Sequence, residues 1–476
     1  MKKSEMATSP IDISQLEKLR PLGKLEQFSS ARHDLGLFNS VGMTCTYTLS
    51  SPSQSPSTLN SPLTTLTLKQ TIYRALSSLI NKHPIFSCIP VNSQTNTPYF
   101  ARLPSISLSS VLSFRTRGSP FIATSEGERD TELDDLLAEQ HGMNFKEDFG
   151  RVPFWRMVIL TGCDGGKGRI GGEMGIESFT ASLFIHHSLA DGLSAVNFHR
   201  DFHFFLNEPS LDYVVKEGED GDVVTCPRLE ILPCLDDLHP LPFSSSPSPP
   251  KETRMEEIKG NRKLWTGIEN PSLPSTPAKT NFLTLVLSAK TTKALIRQCK
   301  EEKSTLATVL PFIISAALSK TLSSQDPNPG CEYEFAYTIP VSLRRFLKRE
   351  GERERRIGEG EMGVWIDALS YTYCPSSSST STAKSEEKNS FPWTEAQQLK
   401  AKISSYLHSL ESLQAGEKGV NVNMPIGKFK NVPSMREMLL SRVGKPLGSS
   451  FDVSNVGVLT PLPIPHSLIR MKENGT

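Results

Sequence analysis

The stretch Phe184-Ile185-His186-His187-Ser188-Leu189-Ala190-Asp191-Gly192 has the residue types and spacing for proton-transfer chemistry. An imidazole at the end of a buried strand, followed by a tight turn and a helix start, is held rigidly and desolvated on one side, which suits a general base working near neutral pH. Asp191, four residues after His187 and next to Gly192, can turn inward and fix that turn by a hydrogen bond or an ion pair. Its natural part is to orient, not to carry protons. The letters HxxxD are common, and two histidines satisfied by backbone carbonyls would read the same way. A metal site with His187 and Asp191 as ligands one helical turn apart would need a third ligand, and helical geometry that a preceding strand and Gly192 argue against.

A competing motif stands just upstream. Gly166-Lys167-Gly168-Arg169-Ile170-Gly171 spells GxGxxG after a strand, with Asp191 at a dinucleotide-like distance beyond it. The residues that follow read as strand, so no helix N-terminus is there to hold a pyrophosphate. Neither a GxSxG elbow nor a GxxxxGK[ST] loop occurs. Over 476 residues, 52 Lys+Arg face 51 Asp+Glu, a net charge of +1. Such a balance disfavours a nucleic-acid or acidic-membrane partner. The eight cysteines are scattered without a CxxC pair and read as reduced thiols of a cytoplasmic protein. The N-terminus has two lysines with no apolar run after them, and no stretch is expected to approach the ~18 apolar residues of a membrane span.

The elements around the motif follow from periodicity. Leu68, Ile72, Leu76, Leu79 and Ile80 recur at helical spacing up to Asn81-Lys82-His83-Pro84, predicting a helix ended by proline and then a strand over 85–89. PFWRMVIL from Pro153 and the apolar run 179–185 read as strands flanking a glycine-rich loop over 162–175. Leu193, Val196, Phe198, Phe202, Phe205 and Leu206 form a helical stripe after Gly192, so the motif lies between a strand and a helix. Residues 208–278 carry Pro/Ser clusters and read as a crossover linker between a first lobe, 1–207, and a second, 279–476. In the second lobe, 281–287 reads as a strand, 291–302 and 304–322 as helices, the latter kinked by Pro311 or starting after Ser304, and 335–341 as a strand. Residues 344–361 and 375–390 read as solvated loops. Thr394 and Gln397 make a capping box for a helix with the stripe Leu399, Ile403, Leu407, Leu410 and Leu413.

Six blocks give the motif a context: RPLGKLEQFSSARHDLG from Arg20, PFWRMVIL from Pro153, HHSLADGLSAVNFH from His186, TTKALIRQCKEEKSTLATVL from Thr291, TIPVSLRRF from Thr338 and FDVSNVGVL from Phe451. In these, and in their order, the chain resembles the alcohol acetyltransferase family of yeasts and filamentous fungi. That family lies within the coenzyme A-dependent acyltransferases that also include chloramphenicol acetyltransferase and peptide-synthetase condensation domains. The resemblance implies an α/β (α+β) fold of two chloramphenicol-acetyltransferase-like lobes, each a mixed sheet with flanking helices. An active-site tunnel would run between them.

It also implies an acyl-coenzyme A:alcohol O-acyltransferase, most simply of acetyl groups, with no tightly bound cofactor and acetyl- or acyl-coenzyme A as co-substrate. The catalytic histidine would be the second of the pair, His187, as general base, and Asp191 would be structural. Arg344 in SLRRF is the candidate ion-pair partner of Asp191, with a coenzyme A contact as its other role. Ser454 is a candidate coenzyme A contact. Asn455 is a candidate oxyanion donor, or else a turn-former before Gly457. Arg353, Arg355 and Arg356 could touch coenzyme A phosphates, although Glu352 and Glu354 between them favour a solvated loop. His33 is expected to be structural. Family members usually continue with more strand and helix after the SNVG block than the short stretch between Gly457 and Thr476, so a shortened second lobe with an exposed strand edge is expected. The partners are acyl-coenzyme A and a small alcohol acceptor, and the protein is expected to be a cytoplasmic monomer without a transmembrane segment. An amine acceptor, a catalytically silent binding protein, and peripheral association with endoplasmic reticulum or lipid droplets stay open.

Overall fold

The computed structural model describes residues 12–49, 65–119, 121, 126–162, 167–170, 173–208, 222–243, 262–267, 279–325, 332–349, 355–375, 391–417, 419–420, 422–464 and 469–471. In the first lobe, strands β1 (Val41–Leu49), β2 (Leu112–Thr116), β3 (Trp155–Thr161) and β4 (Ser178–Ile185) form a sheet in the order β1-β4-β3-β2. β4 is antiparallel to both neighbours, and β2 runs parallel to β3. Four helices accompany it: α1 (Lys24–Asp34), α2 (Thr65–Lys82), α3 (Thr131–Gly142) and α4 (Gly192–Asn207).

β4 is buried on both faces from Phe179 to Ile185, because side chains alternate across a strand and both faces of this one are covered; its Thr180 and Ser182 hydroxyls lie within hydrogen-bond distance of those of Thr46 and Thr44 on β1. Phe179, Ala181, Leu183 and Ile185 enter the main core with Leu68, Ile72 and Leu76 of α2 and Phe198 and Phe202 of α4. Phe184 points the other way, against Val158, Leu160 and Leu136 of α3. Gly42 lets β1 approach β4 at its end, since a Cβ there would lie 2.5 Å from the Leu183 carbonyl oxygen. That strand end delivers the histidine pair.

In the second lobe, strands β5 (Arg262–Trp265), β6 (Glu332–Ser342), β7 (Ile366–Tyr373) and β8 (Phe451–Asp452) form a sheet in which β6 pairs with the other three. Helices α5 (Ala289–Glu301), α6 (Leu306–Gln325) and α7 (Trp393–Gln414) accompany it. Val309 and Phe312 of α6 and Ala396 and Leu399 of α7 pack on Tyr337 and Ile339 of β6. Two exchanges tie the lobes together. Leu25, Ala31 and Leu35 around α1 belong to the core formed by Leu343, Phe346, Trp365, Leu410 and Met424. Strand β9 (Ile469–Met471) pairs with β1 as the outermost strand of the first sheet, where Asn207 and His203 of α4 hold Ile469.

Several local expectations change. After Pro84 comes a 3-10 turn, Pro84–Ser87, and the strand is Cys88–Val91. The capping box at Thr394 does not form: the N-cap of α7 is Pro392, with no side-chain cap, and Gln397 donates to the Glu302 carbonyl instead. Residues 281–287 have apolar strand letters but join no ladder, and Leu283 and Leu285 are 72% and 65% exposed. The 344–361 region is not simply solvated, because Arg344, Phe346, Leu347 and Ile357 are buried around a two-stranded hairpin of Lys348–Arg349 and Arg355–Arg356. The side chains of Arg353, Arg355 and Arg356 and the segment 376–390 lie outside the described residues. Within 208–278, strand Val223–Thr225 pairs with Ser105–Ser107, and β5 joins the second sheet. Of the GxGxxG glycines, Gly168 lies in a strand, Lys167–Ile170, that pairs with Glu173–Ile176 ahead of β4, while Gly166 and Gly171 lie outside the described residues. Helix α6, with 20 residues, is long and apolar enough to cross a membrane, contrary to the expectation for the whole chain. In this fold its Val309, Phe312 and Ser315 are buried.

Candidate active site

The chain leaves β4 at Ile185, and His186 extends the ladder by donating its N–H to the Phe154 carbonyl. A turn closes as the Leu189 N–H reaches the His186 carbonyl, and α4 starts at Gly192 with Asp191 as its N-cap. The two adjacent imidazoles have different bonding. His186 Nδ1 accepts the Ser188 N–H at 3.1 Å, so its proton must sit on Nε2, which is buried without a partner among the described residues. This ring packs edge-on to His33, 4.6 Å between centroids, and against Phe154. Burial, with His33, His187 and Arg32 nearby, holds its pKa well below the ordinary histidine value.

His187 is wired the opposite way. Its Nδ1 lies 2.9 Å from the Ala190 carbonyl oxygen, and a carbonyl only accepts, so Nδ1 carries the proton and Nε2 keeps its lone pair. Burial and the charge of Arg32 push its pKa down to about 4. The ring is neutral at pH 7, with Nε2 an acceptor nitrogen that has no partner among the described residues. Of the two histidines, His187 alone has the electronic form of a base.

Asp191 is fully buried and spends its carboxylate on the join between the lobes. Oδ1 accepts the Ser194 N–H at 2.9 Å, the N-cap of α4. Arg344 grips both oxygens at 2.8 and 2.9 Å, and the Trp365 N–H adds a bond at 3.2 Å. Burial works against ionisation here, but the Arg344 charge and these donors hold the Asp191 pKa below the usual carboxylate value. Arg344 is itself buried, stacked 5.0 Å over Trp365, with a further bond to Ser194 Oγ. Its other expected role, contact with coenzyme A, is thereby corrected, since the guanidinium faces Asp191 and is closed to solvent. Gly363 completes the join: its carbonyl accepts the Asp191 N–H and Ser194 Oγ–H, and a Cβ there would fall 2.4 Å from the Trp365 ring.

Ser454 and Asn455 lie beyond β8 and are exposed. Asn455 Oδ1 accepts the Gly457 N–H at 2.8 Å, where Gly457 has φ +77, so its oxygen is committed to a turn. The segment reaches the motif through Val456, whose Cγ1 would be 3.1 Å from a Cβ on Gly192. His33 accepts the Phe145 N–H through Nε2 and lines a cavity of about 300 Å³ that also includes Asp34, Asn92, Lys146 and Phe154. This cavity lies beside the His186 packing cluster, and His187 is not among its lining residues. No group of three metal-ligating side chains occurs among the described residues. Two neighbours of His187, Arg32 and Phe38, were not singled out by the sequence. Phe38 lies 5.9 Å from the His187 ring, and Arg32 stacks on Phe38. The only prior signal was their place in or next to the ARHD block.

Comparison with known proteins supplies the remaining context. The alcohol acetyltransferase family model matches residues 21–467. The chain is 32% identical over 447 residues to the probable alcohol acetyltransferase crmB of Aspergillus fumigatus, covering 93% of this chain and 85% of that protein. Among solved structures, the trichothecene 15-O-acetyltransferase TRI3 of Fusarium sporotrichioides is similar in fold, with a TM-score of 0.53 at 12% identity, over 95% of this chain and 84% of that one. The two-lobed fold, a histidine in the form of a base at the lobe junction, and a family match over nearly the whole length agree, and the chain belongs to the alcohol acetyltransferase family of acyl-transferring enzymes.

Proposed function

We propose that this protein moves an acyl group, acetyl in the first instance, from acyl-coenzyme A to an alcohol hydroxyl, with His187 as the general base. The observation that carries this reading is the His187 Nδ1 bond to the Ala190 carbonyl, which leaves the Nε2 lone pair for the acceptor. In the reaction Nε2 takes the hydroxyl proton as the acceptor oxygen attacks the thioester carbonyl. The tetrahedral intermediate then expels the thiolate, the C–S bond breaks, and His187 returns the proton to sulfur. An ester and free coenzyme A result, without a covalent acyl-enzyme. The imidazole, unprotonated at pH 7, needs no prior deprotonation.

Asp191 does not touch the reactants in this scheme; it positions the turn that carries His187 and locks it to the second lobe through Arg344. Asn455 has its oxygen in the Gly457 turn, which leaves its NH2 to donate to an oxyanion. The name of the Aspergillus relative, a probable alcohol acetyltransferase, supports the choice of acceptor. The test is to supply the purified protein with acetyl-coenzyme A and a panel of alcohols and amines, follow thiol release, and identify the product by mass. Acceptor-dependent release with an ester product is expected. Amide products would move the reading to N-acylation, and no release from folded protein with acetyl or longer acyl donors would sink it.

A further inference from the structure

We propose that Arg32 is a second oxyanion donor of this site beside the Asn455 amide, its guanidinium donating to the oxygen that becomes negative when the acceptor attacks the thioester. The inference rests on His187 acting as the base of acyl transfer. Arg32 stands in the last turn of α1, with its guanidinium carbon 4.5 Å from the Phe28 ring centre and 4.6 Å from that of Phe38. Both are cation–π contacts, which hold the guanidinium in place without supplying a hydrogen-bond acceptor or an anion. Its Nε is buried and has no hydrogen-bond partner among the described residues. Arg102 and Arg200 also leave Nε unpartnered, but Arg102 holds Glu17 and Arg200 reaches Asn197 through another nitrogen, as Arg20 holds Glu26, Arg156 holds Gln140 and Arg344 holds Asp191.

A half-buried cation with a buried Nε and no ion pair among the described residues is an incomplete arrangement, because the charge has lost water and gained no direct counter-ion. Asp452 is close enough to favour the charged form, yet burial still pushes the Arg32 pKa down to about 10. The Phe38 ring that carries Arg32 also packs on His187, 5.9 Å between centroids, so this incomplete cation sits beside the base. The proposed reaction creates one anion there. When the acceptor hydroxyl loses its proton to His187 and its oxygen bonds to the thioester carbon, the C=O π pair moves onto the carbonyl oxygen. It returns when the C–S bond breaks. A cation beside the base disfavours imidazolium in the same step, so Arg32 accelerates transfer only by lying nearer the oxyanion than the ring. The other charged or titratable groups acting on His187 or its neighbour are Asp191, His186 and His33, and Asp191 is already paired with Arg344.

The experiment compares Arg32→Gln and Arg32→Lys with the wild type and His187→Ala, using acetyl-coenzyme A and the best alcohol of the panel, with folding checked by thermal denaturation. Loss of an oxyanion donor typically lowers kcat by ~10²–10³. That loss is expected for Arg32→Gln with KM for both substrates nearly unchanged, and a smaller one for Arg32→Lys, which keeps charge but not the planar fork. The acid limb of the wild-type kcat/KM profile should also move to higher pH in Arg32→Gln, because a charge that disfavours imidazolium is gone. A rise in KM at constant kcat would overturn the proposal and make Arg32 the anchor of a substrate carboxylate or phosphate. Unchanged kinetics in both variants would overturn it as well. If Arg32→Gln does not fold, Arg32→Lys decides: wild-type kcat in that variant contradicts the proposal. Failure of His187→Ala to lose activity would instead remove the acyl-transfer scheme itself.

Discussion

Asp191 uses one carboxylate to cap a helix, hold a turn and bind an arginine from the other lobe. Because both ions are fully buried, removing either strands the other in a low-dielectric site, at a cost of about 3–5 kcal/mol. Asp191→Asn and Arg344→Met should each lower stability by about that amount in urea denaturation, and the double variant should be no worse than the worse single. Additive losses would contradict the pairing. Arg344 was legible only through the resemblance, whose family pattern pairs this aspartate with an arginine and pointed to the SLRRF block. Arg32 was not, because the letters ARHD do not distinguish a guanidinium held against two phenyl rings from one in solvent: Phe28 meets it at i,i+4 within α1, but Phe38 beside His187 is brought to it only by the fold.

At the scale of elements, strong periodicity was read correctly wherever one rule dominated. The strand at 179–185 and the helix after Gly192 follow from a short, largely apolar segment buried on both faces and a 3.6-residue stripe, and together they place the motif at a strand–helix turn. Elements set by long-range pairing were harder to read. Residues 281–287 have strand composition, but β6 finds its partners in β5, β7 and β8, which leaves that segment unpaired. Ile469 and Met471 give no strand signal by themselves, since three residues form β9 only because the edge of β1 and the side chains of α4 receive them. Pro311 was expected to kink or delay the helix, and α6 starts at Leu306 and contains it. The Thr394 box was overridden because Gln397 found the carbonyl at the end of α5.

At the scale of the molecule, the exchange of α1 and β9 and the Asp191–Arg344 join make the lobes mutually dependent, so acid sensitivity should be shared. The pKa is pushed down to about 4 at His141, His187 and His199, to about 3 at His33, and well below normal at His186, burial being the first cause throughout. An unfolded chain protonates these rings near pH ~6.5, whereas the folded one does not until about pH 4 or lower. Between those values the unfolded state binds more protons, so stability falls as pH falls. The melting temperature should therefore drop steadily from pH ~6.5 towards 4, and a flat profile from pH 7 to 5 would contradict the buried, neutral assignment. That neutrality at His187 is the centre of the account, and the most direct test is the rate of acceptor-dependent thiol release by His187→Ala against wild type, both shown to be folded. A fall of ~10²-fold or more, in keeping with loss of a general base, is predicted. Activity within a few-fold of wild type would contradict it.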